Sequence, residues 1–458
     1  MIMVDDLPPL DGRLYSVLPN IRHTFVDQGV NFTNFQGETP LCCPGRVGFF
    51  TGQHTFHHGV TVNDATLFNP SMSLATQLHA VGYQTMLAGK YLNHYGPLAG
   101  TVPPGWDHFS TKTSTNDYYD YTIWNDHNKK PERHGHKPAD YFTDVVSHKA
   151  VAQLRAAAPD RPVFAWFAVT APHRPWTPAP RYAKDKRCLS VPDWNPPNYA
   201  EADVSDKPGY VRAEPQYDHA DLRDPTGYDL EPVCRAMLAA DDMVGSVRAE
   251  LQREGRLQNT IFVFGGDNGM NFGSHRLEAK FAPYETGLPF FVTWPAKLGT
   301  TPRNVDDLVM NIDFAPTICE LAGCTLGPFP NGQHTPDGSS FAALLLGTAT
   351  SMNRDSVIFD LPTSLKVPAW YAVRTTGASS LSGAGCSNWA NHACLWHYIE
   401  YDDGERELYD VSGGPCWAWQ VGSPGDPCEL NNAVGVPSLH PLVVALHARL
   451  RVLKAALP

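Results

Sequence analysis

Cys42, Cys43, Pro44 and Arg46 stand close together in Leu41-Cys42-Cys43-Pro44-Gly45-Arg46-Val47-Gly48-Phe49-Phe50-Thr51-Gly52. Proline suits the first turn of a helix, where its missing N–H is no loss, so residue 42 is placed at a helix amino end. Free N–H groups and the helix dipole favour an anion there, and Arg46, one turn on, points back towards it. The weaker alternative for the vicinal cysteines is a metal or disulfide site at a turn. Asp5-Asp6 and Asp267-Asn268 are pairs of hard oxygen donors, suited to Ca²⁺ or Mg²⁺ and not to zinc. A lone Asp-Asp fits a cap or turn; two such pairs at strand ends fit a cation site better.

The elements that must position these residues are legible from hydrophobic patterning. Residues 1–4 read as the tail of a strand running into Asp5. Ser73 to Val81 and Thr143 to Ala157 read as helices, and Leu230 to Glu254 as a long amphipathic one. Tyr83 to Leu87, Val163 to Val169, Thr260 to Phe264 and Phe290 to Trp294 read as strands. Asp5, Asp6, Lys90, His173, Asp267 and Asn268 all follow the carboxyl end of a strand, the edge where open α/β sheets bind ligands. Residues 97–142 read as irregular, and 174–227 as a long surface excursion. Their aromatic side chains (Trp106, Tyr118, Tyr119, Tyr121, Trp176, Trp194) fit simple packing of the loops, and also suit stacking on sugar rings or aryl groups. Short strands at Trp370 to Arg374, Trp396 to Tyr401 and Glu407 to Val411, then a helix from Pro441 to Leu457, predict an antiparallel α+β unit. The division expected is residues 1–355 as a catalytic α/β domain and 356–458 as a small C-terminal subdomain.

Composition excludes several classes. The 458 residues carry 35 basic and 47 acidic side chains, a net charge of −12, against nucleic-acid binding by phosphate neutralisation. At 42% hydrophobic and 18% charged, the chain can bury a core. It has no apolar run of about 18 residues, so no membrane-spanning helix is expected. Ten cysteines, with the close pairs Cys386/Cys394 and Cys416/Cys428, suggest small disulfide loops and an extracytoplasmic setting: secreted, periplasmic or lysosome-like. No signal peptide is visible, but a chain opening on a strand tail gives that little weight. Asn31-Phe32-Thr33 is a glycosylation sequon.

Cys42-x-Pro44-x-Arg46 followed by Thr51-Gly52 resembles the signature of the formylglycine-dependent sulfatases, of the alkaline-phosphatase-like superfamily. The resemblance extends along nearly the whole chain: Gly89-Lys90-Tyr91-Leu92-Asn93, Ala171-Pro172-His173, Lys280 to Glu285, Asn311 to Thr317, Asp337-Gly338 and Glu407 to Asp410. It is most similar to the N-acetylglucosamine-6-sulfatase and extracellular heparan-sulfatase branch. The fold implied is a large mixed, mostly parallel sheet sandwiched by helices, with a small C-terminal subdomain on a short antiparallel sheet. The implied catalytic residues are Cys42, Arg46, Lys90, His173 and Lys280. The implied cation, Ca²⁺ or Mg²⁺, is held by Asp5, Asp6, Asp267, Asn268 and residue 42. His275 is a further pocket candidate. Many sulfatases carry a histidine where this chain has Leu92, and His94 is its candidate stand-in.

The resemblance implies that a formylglycine-generating enzyme converts Cys42 to Cα-formylglycine. One hydroxyl of the aldehyde hydrate attacks the sulfur of a sulfated glycan or small molecule. The cation, Arg46, Lys90 and Lys280 neutralise the sulfate oxygens, and His173 or Lys280 protonates the leaving alcohol. The second hydroxyl then expels sulfate. This requires a positive pocket in a negative protein. The alternatives are a phosphodiester or phosphonate monoester hydrolase of the same superfamily, a catalytically silent sulfoglycan-binding protein, and a secreted structural protein with a coincidental motif.

Overall fold

The computed structural model describes residues 1–9, 12–126, 131–191, 194–216, 230–381 and 394–455. Its core is a ten-stranded sheet. In chain order the strands are β1 (Ile2–Val4), β2 (Val30–Phe32), β4 (Gln84–Gly89), β5 (His108–Lys112), β6 (Thr122–Asn125), β7 (Pro131–Arg133), β8 (Val163–Ala168), β9 (Phe262–Gly266), β10 (Phe290–Thr293) and β11 (Arg303–Val305). β3 (Phe35–Gln36) pairs separately with β12 (Val309–Met310). The spatial order is β11-β2-β10-β9-β1-β8-β4-β5-β6-β7. The central run β9-β1-β8-β4-β5 is parallel, and antiparallel pairs extend it at both sides. Strands such as Val163–Ala168 are apolar along both faces because helices cover both.

The alternation is visible in β1. Ile2 and Val4 face a core shared with the Phe142–Ala156 and Leu230–Arg253 helices. Met3 faces the opposite core, with the Cys42–Thr51, Leu74–Ala80 and Phe314–Ala322 helices. The architecture expected from sequence is therefore present: helices on both sides of a mixed sheet with a parallel centre. One reading is corrected. Residues 97–142 are not wholly irregular, since β5, β6 and β7 extend the sheet there. His108–Lys112 (HFSTK) and Thr122–Asn125 (TIWN) are short and largely polar, so they lack the apolar run that marks a central strand. The aromatic residues of this region and of the 174–227 excursion mostly pack in the core, the first of the two readings given for them. Trp106 packs among Phe50, Tyr91, Phe109 and Phe164, and Tyr118, Tyr121 and Trp194 are buried.

A second sheet is antiparallel throughout: β13 (Ser356–Leu361), β14 (Trp370–Thr375), β15 (Trp396–Tyr401) and β16 (Arg406–Asp410). The His440–Ala455 helix lays Leu442, Leu446 and Leu450 on its Val373 and Tyr398 face. Among the described residues no helix is long and apolar enough to cross a membrane.

The Cys416–Cys428 disulfide forms as expected; Cys386 lies outside the described residues. Two further disulfides, Cys188–Cys234 and Cys319–Cys324, were not foreseen. Cys188–Cys234 spans 46 residues and ties the surface excursion to the Leu230–Arg253 helix. In the chain-entropy model a loop of that length contributes about 4 kcal/mol. Cys234→Ala is expected to shift the denaturation midpoint accordingly, read by urea titration.

Candidate active site

The Cys42–Thr51 helix begins after Leu41, whose backbone is extended and whose side chain offers no cap. Its opening amides are thus left to other partners: Asn63 Oδ1 accepts from Cys43 N at 2.8 Å. Pro44 sits in the first turn, and Gly52 ends the helix in a left-handed conformation, φ 72°. Gly45 has a packing reason. A Cβ there would meet the Asp267 carbonyl at 2.7 Å, so only glycine lets the helix press against the end of β9. This contact sets residue 42 beside the acidic strand ends.

Those ends meet because β1 and β9 are neighbours. Asp6 N donates to Asp267 Oδ1 at 3.1 Å, and Asn268 Nδ2 to Asp6 Oδ1 at 2.6 Å. Arg46 is wholly buried; its Nε donates to Asp267 Oδ2 at 2.9 Å, and its Nη2 lies 3.7 Å from Asp5 Oδ2. Lys90, after β4, bonds Asp5 and donates to Asn116 Oδ1 at 3.0 Å. Lys280 bonds Asp6, lies 3.0 Å from Cys42 Sγ and 3.4 Å from Asn268 Oδ1. His173, after β8, places Nε2 3.2 Å from Asp6 Oδ2, and its Nδ1 donates to the Arg174 carbonyl at 2.6 Å. All nine of Asp5, Asp6, Cys42, Arg46, Lys90, His173, Asp267, Asn268 and Lys280 therefore converge on one locus.

The other two candidates lie elsewhere. His94 is exposed, at positive φ. His275 is fully buried, but its contacts are with Glu201 (Nδ1 to Oε2, 2.6 Å), Asn198 and the Tyr284 ring. Leu92 is a core residue. Sequence reading missed Asn116, whose amide spans Lys90 and His173 (Nδ2 to Nε2, 2.9 Å). It also missed Lys112, buried and donating to the Asp117 carbonyl at 3.0 Å and Thr170 Oγ1 at 2.7 Å. Both lie in or beside the loop joining β5 to β6, where no strand-end pattern marks them.

Electrostatics follow from burial against pairing. Burial alone would raise the Asp5 carboxyl, but Lys90, His173 and Arg46 outweigh it and hold it below the usual carboxylate range. Asp6 is likewise lowered, chiefly by Lys280. Burial pushes the Cys42 thiol up to about 12 in spite of Lys280 and Lys90. An unmodified thiol would thus be un-ionised at neutral pH and a poor nucleophile. Arg46, Lys90 and Lys280 are each paired with a carboxylate: Arg46 with Asp267 and Asp5, Lys90 with Asp5, and Lys280 with Asp6.

The donor set fits a hard divalent cation. Ligand atoms of Asp5, Asp6 and Cys42 lie within 4.8 Å of one another, with Asp267 and Asn268 adjoining. Buried Arg46 Nη2 has no hydrogen-bond partner among the described residues, as suits a guanidinium kept for an anion.

A family model described as sulfatase matches residues 2–324, and one described as N-sulphoglucosamine sulphohydrolase, C-terminal, matches residues 273–381. The chain is 30% identical over 360 residues to an extracellular sulfatase SULF-1 homolog of Drosophila melanogaster. That match covers 76% of this chain and 31% of that protein, so the chain spans under a third of the relative's length. It is 27% identical to human N-acetylglucosamine-6-sulfatase, covering 93% of this chain and 81% of the other. A solved structure of a protein in complex with its substrate, D-glucosamine-2-N,6-O-disulfate, matches with TM-score 0.73 at 21% identity, covering 99% of this chain and 97% of that one. A phosphonate monoester hydrolase from Silicibacter pomeroyi matches with TM-score 0.69 at 20% identity, covering 100% and 95%. At such identities these structures establish the shared fold.

Proposed function

Because this chain belongs to the sulfatase family, a family of sulfuric ester hydrolases, we propose that it hydrolyses sulfate monoesters on glucosamine-type sugars, with residue 42 as nucleophile. The observation that carries this reading is the approach of Lys280 Nζ to within 3.0 Å of Cys42 Sγ, at a helix start flanked by buried Arg46 and Lys90. Conversion of Cys42 to Cα-formylglycine supplies a hydroxyl for attack and a second one for sulfate release. Ca²⁺, or Mg²⁺, would be held by Asp5, Asp6, Asp267, Asn268 and residue 42, and supplies charge stabilisation for the sulfate oxygens.

The chain's own residues do the rest. Asp267 fixes Arg46 through Nε and leaves Nη2 for a sulfate oxygen. Lys90, steered by Asp5 and Asn116, takes a second oxygen. Asp6 Oδ2, 3.2 Å from His173 Nε2, orients that ring nitrogen as proton donor to the leaving alcohol. Lys280 sits beside residue 42 to balance charge as it develops.

The sugar class is supported by the relatives named N-acetylglucosamine-6-sulfatase, which match 85–93% of this chain. An extracytoplasmic setting is supported by the disulfides Cys188–Cys234, Cys319–Cys324 and Cys416–Cys428. The only maturation partner proposed is a formylglycine-generating enzyme.

The test is turnover of glucosamine-6-sulfate and an aryl sulfate beside an aryl phosphodiester and an aryl phosphonate. Preference for the sulfates is expected; preference for the phosphorus esters would favour the phosphonate hydrolase reading that the shared fold leaves open. Chelation with EGTA is expected to lower turnover at least about 100-fold, since the cation supplies several kcal/mol at 1.4 kcal/mol per tenfold. Added Ca²⁺ should restore it.

A further inference from the structure

Lys280 is carried by a loop that no regular element supports. Between Asn268 and Glu285 the backbone adopts positive φ at Phe272 (47°), His275 (53°), Arg276 (65°) and Phe281 (97°). Bulky residues hold such conformations only where their surroundings over-determine them, and these positions cluster at functional sites.

The surroundings here are specific. Arg276 is nearly buried, and its guanidinium spends its donors on backbone carbonyls. Nε reaches Glu201 O at 2.7 Å, Nη2 reaches Ala202 O at 2.7 Å, and Nη1 reaches Glu214 O at 3.3 Å. His275 N donates to Asn198 O at 2.8 Å, and Ala200 N to Gly273 O at 2.9 Å. The His275 ring pairs with Glu201, whose other oxygen lies 3.4 Å from buried Lys207 Nζ.

The segment that receives these bonds, residues 198–214, is itself anchored on the C-terminal sheet. Lys207 Nζ donates to Leu430 O at 2.8 Å, Gly209 N to Glu405 Oε2 at 2.6 Å, and Asn432 N to Asp206 Oδ2 at 2.6 Å. The segment therefore acts as a bracket, with the C-terminal sheet on one side and the lysine loop on the other.

We propose that Arg276, together with the His275–Glu201 pair, is the positioning element that fixes Lys280 beside residue 42, and that residues 198–214 transmit this support from the C-terminal sheet. His275 is thus a positioning residue and not a contact to the sugar. The proposal rests on the assignment of Lys280 to the reaction made above. It adds residues that touch neither substrate nor cation, and it explains strained backbone that catalysis by Lys280 alone does not.

The test is a double-mutant cycle with Arg276→Met and Lys280→Ala, run on whichever ester the wild-type enzyme turns over. Arg276→Met alone is expected to lower kcat by about 10²-fold, the effect of a misplaced catalytic group, with KM changed less than threefold. In the Lys280→Ala background the same substitution should lower kcat less than threefold, because the group it positions is already gone. Arg276→Lys, which keeps one donor, should recover part of the loss. Glu201→Gln gives an independent entry to the same cycle should Arg276→Met fold poorly. An equal loss in both backgrounds would overturn the proposal, as would an unchanged kcat in the single variants. A wild-type preference for phosphorus esters would count against the sulfatase reading alone, since the cycle is then measured on those esters.

Discussion

Cys42→Ala is expected to lower kcat by about 10⁴-fold or more, the scale seen when a nucleophile that works as a unit with its neighbours is removed, with the fold retained. The neighbouring thiol cannot substitute. Cys43 Sγ accepts from Asn93 N at 3.0 Å and lies 3.6 Å from Asn93 Oδ1, packed in the core behind the helix. Cys42→Ser sharpens the expectation. Serine can attack sulfur once, but it lacks the second hydroxyl that would expel sulfate, so product release should stop at one equivalent per enzyme. Rapid quench would read a single burst and no steady state. Steady turnover by the serine variant would mean that sulfate leaves by another route.

Arg46→Leu should cost both activity and stability. The guanidinium is wholly buried against Asp267 and Asp5, and removing one partner of a buried ion pair costs about 3–5 kcal/mol because the remaining charge is left uncompensated. A divalent cation on the same carboxylates would compensate part of that. The loss measured by denaturant titration should therefore be larger in chelator than in Ca²⁺, and the difference should exceed that of the wild-type protein. Turnover should fall about 10²- to 10³-fold even with Ca²⁺, the usual effect of deleting one oxyanion donor. Equal destabilisation with and without Ca²⁺ would separate Arg46 from the cation-binding carboxylates.

The residues that converge at the site were more legible in the sequence than those that support them. Asp5, Asp6, Lys90, His173 and Asp267 were readable because each ends an apolar strand, and the order of strands in a parallel sheet brings those ends together. Residue 42 was readable because Pro44 marks a helix start and Cys42-x-Pro44-x-Arg46 resembles the sulfatase signature; the close packing of Gly45 on Asp267 was not. Asn116 and Arg276 were not, since nothing local marks a loop residue whose role is set by partners about 26 to 75 positions away in the chain. His275 was read as facing the pocket because it stands near Lys280 in sequence; the reversal of the backbone at positive φ turns it into the bracket instead. Cys188–Cys234 was unreadable for the reason that cysteine pairing in general is: spacing does not fix connectivity. The polar strands β5 and β6 were mistaken for loop because a strand towards the sheet's edge needs no continuous apolar run.

The most direct test of the account is the mass of the tryptic peptide from His23 to Arg46, from protein made in a host with formylglycine-generating activity and deglycosylated beforehand. The account predicts that Cys42 carries the aldehyde or its hydrate, with Cys43 an intact thiol. An intact thiol at Cys42, in a host that modifies a control sulfatase, would contradict it and leave a protein that binds sulfated sugars without cleaving them.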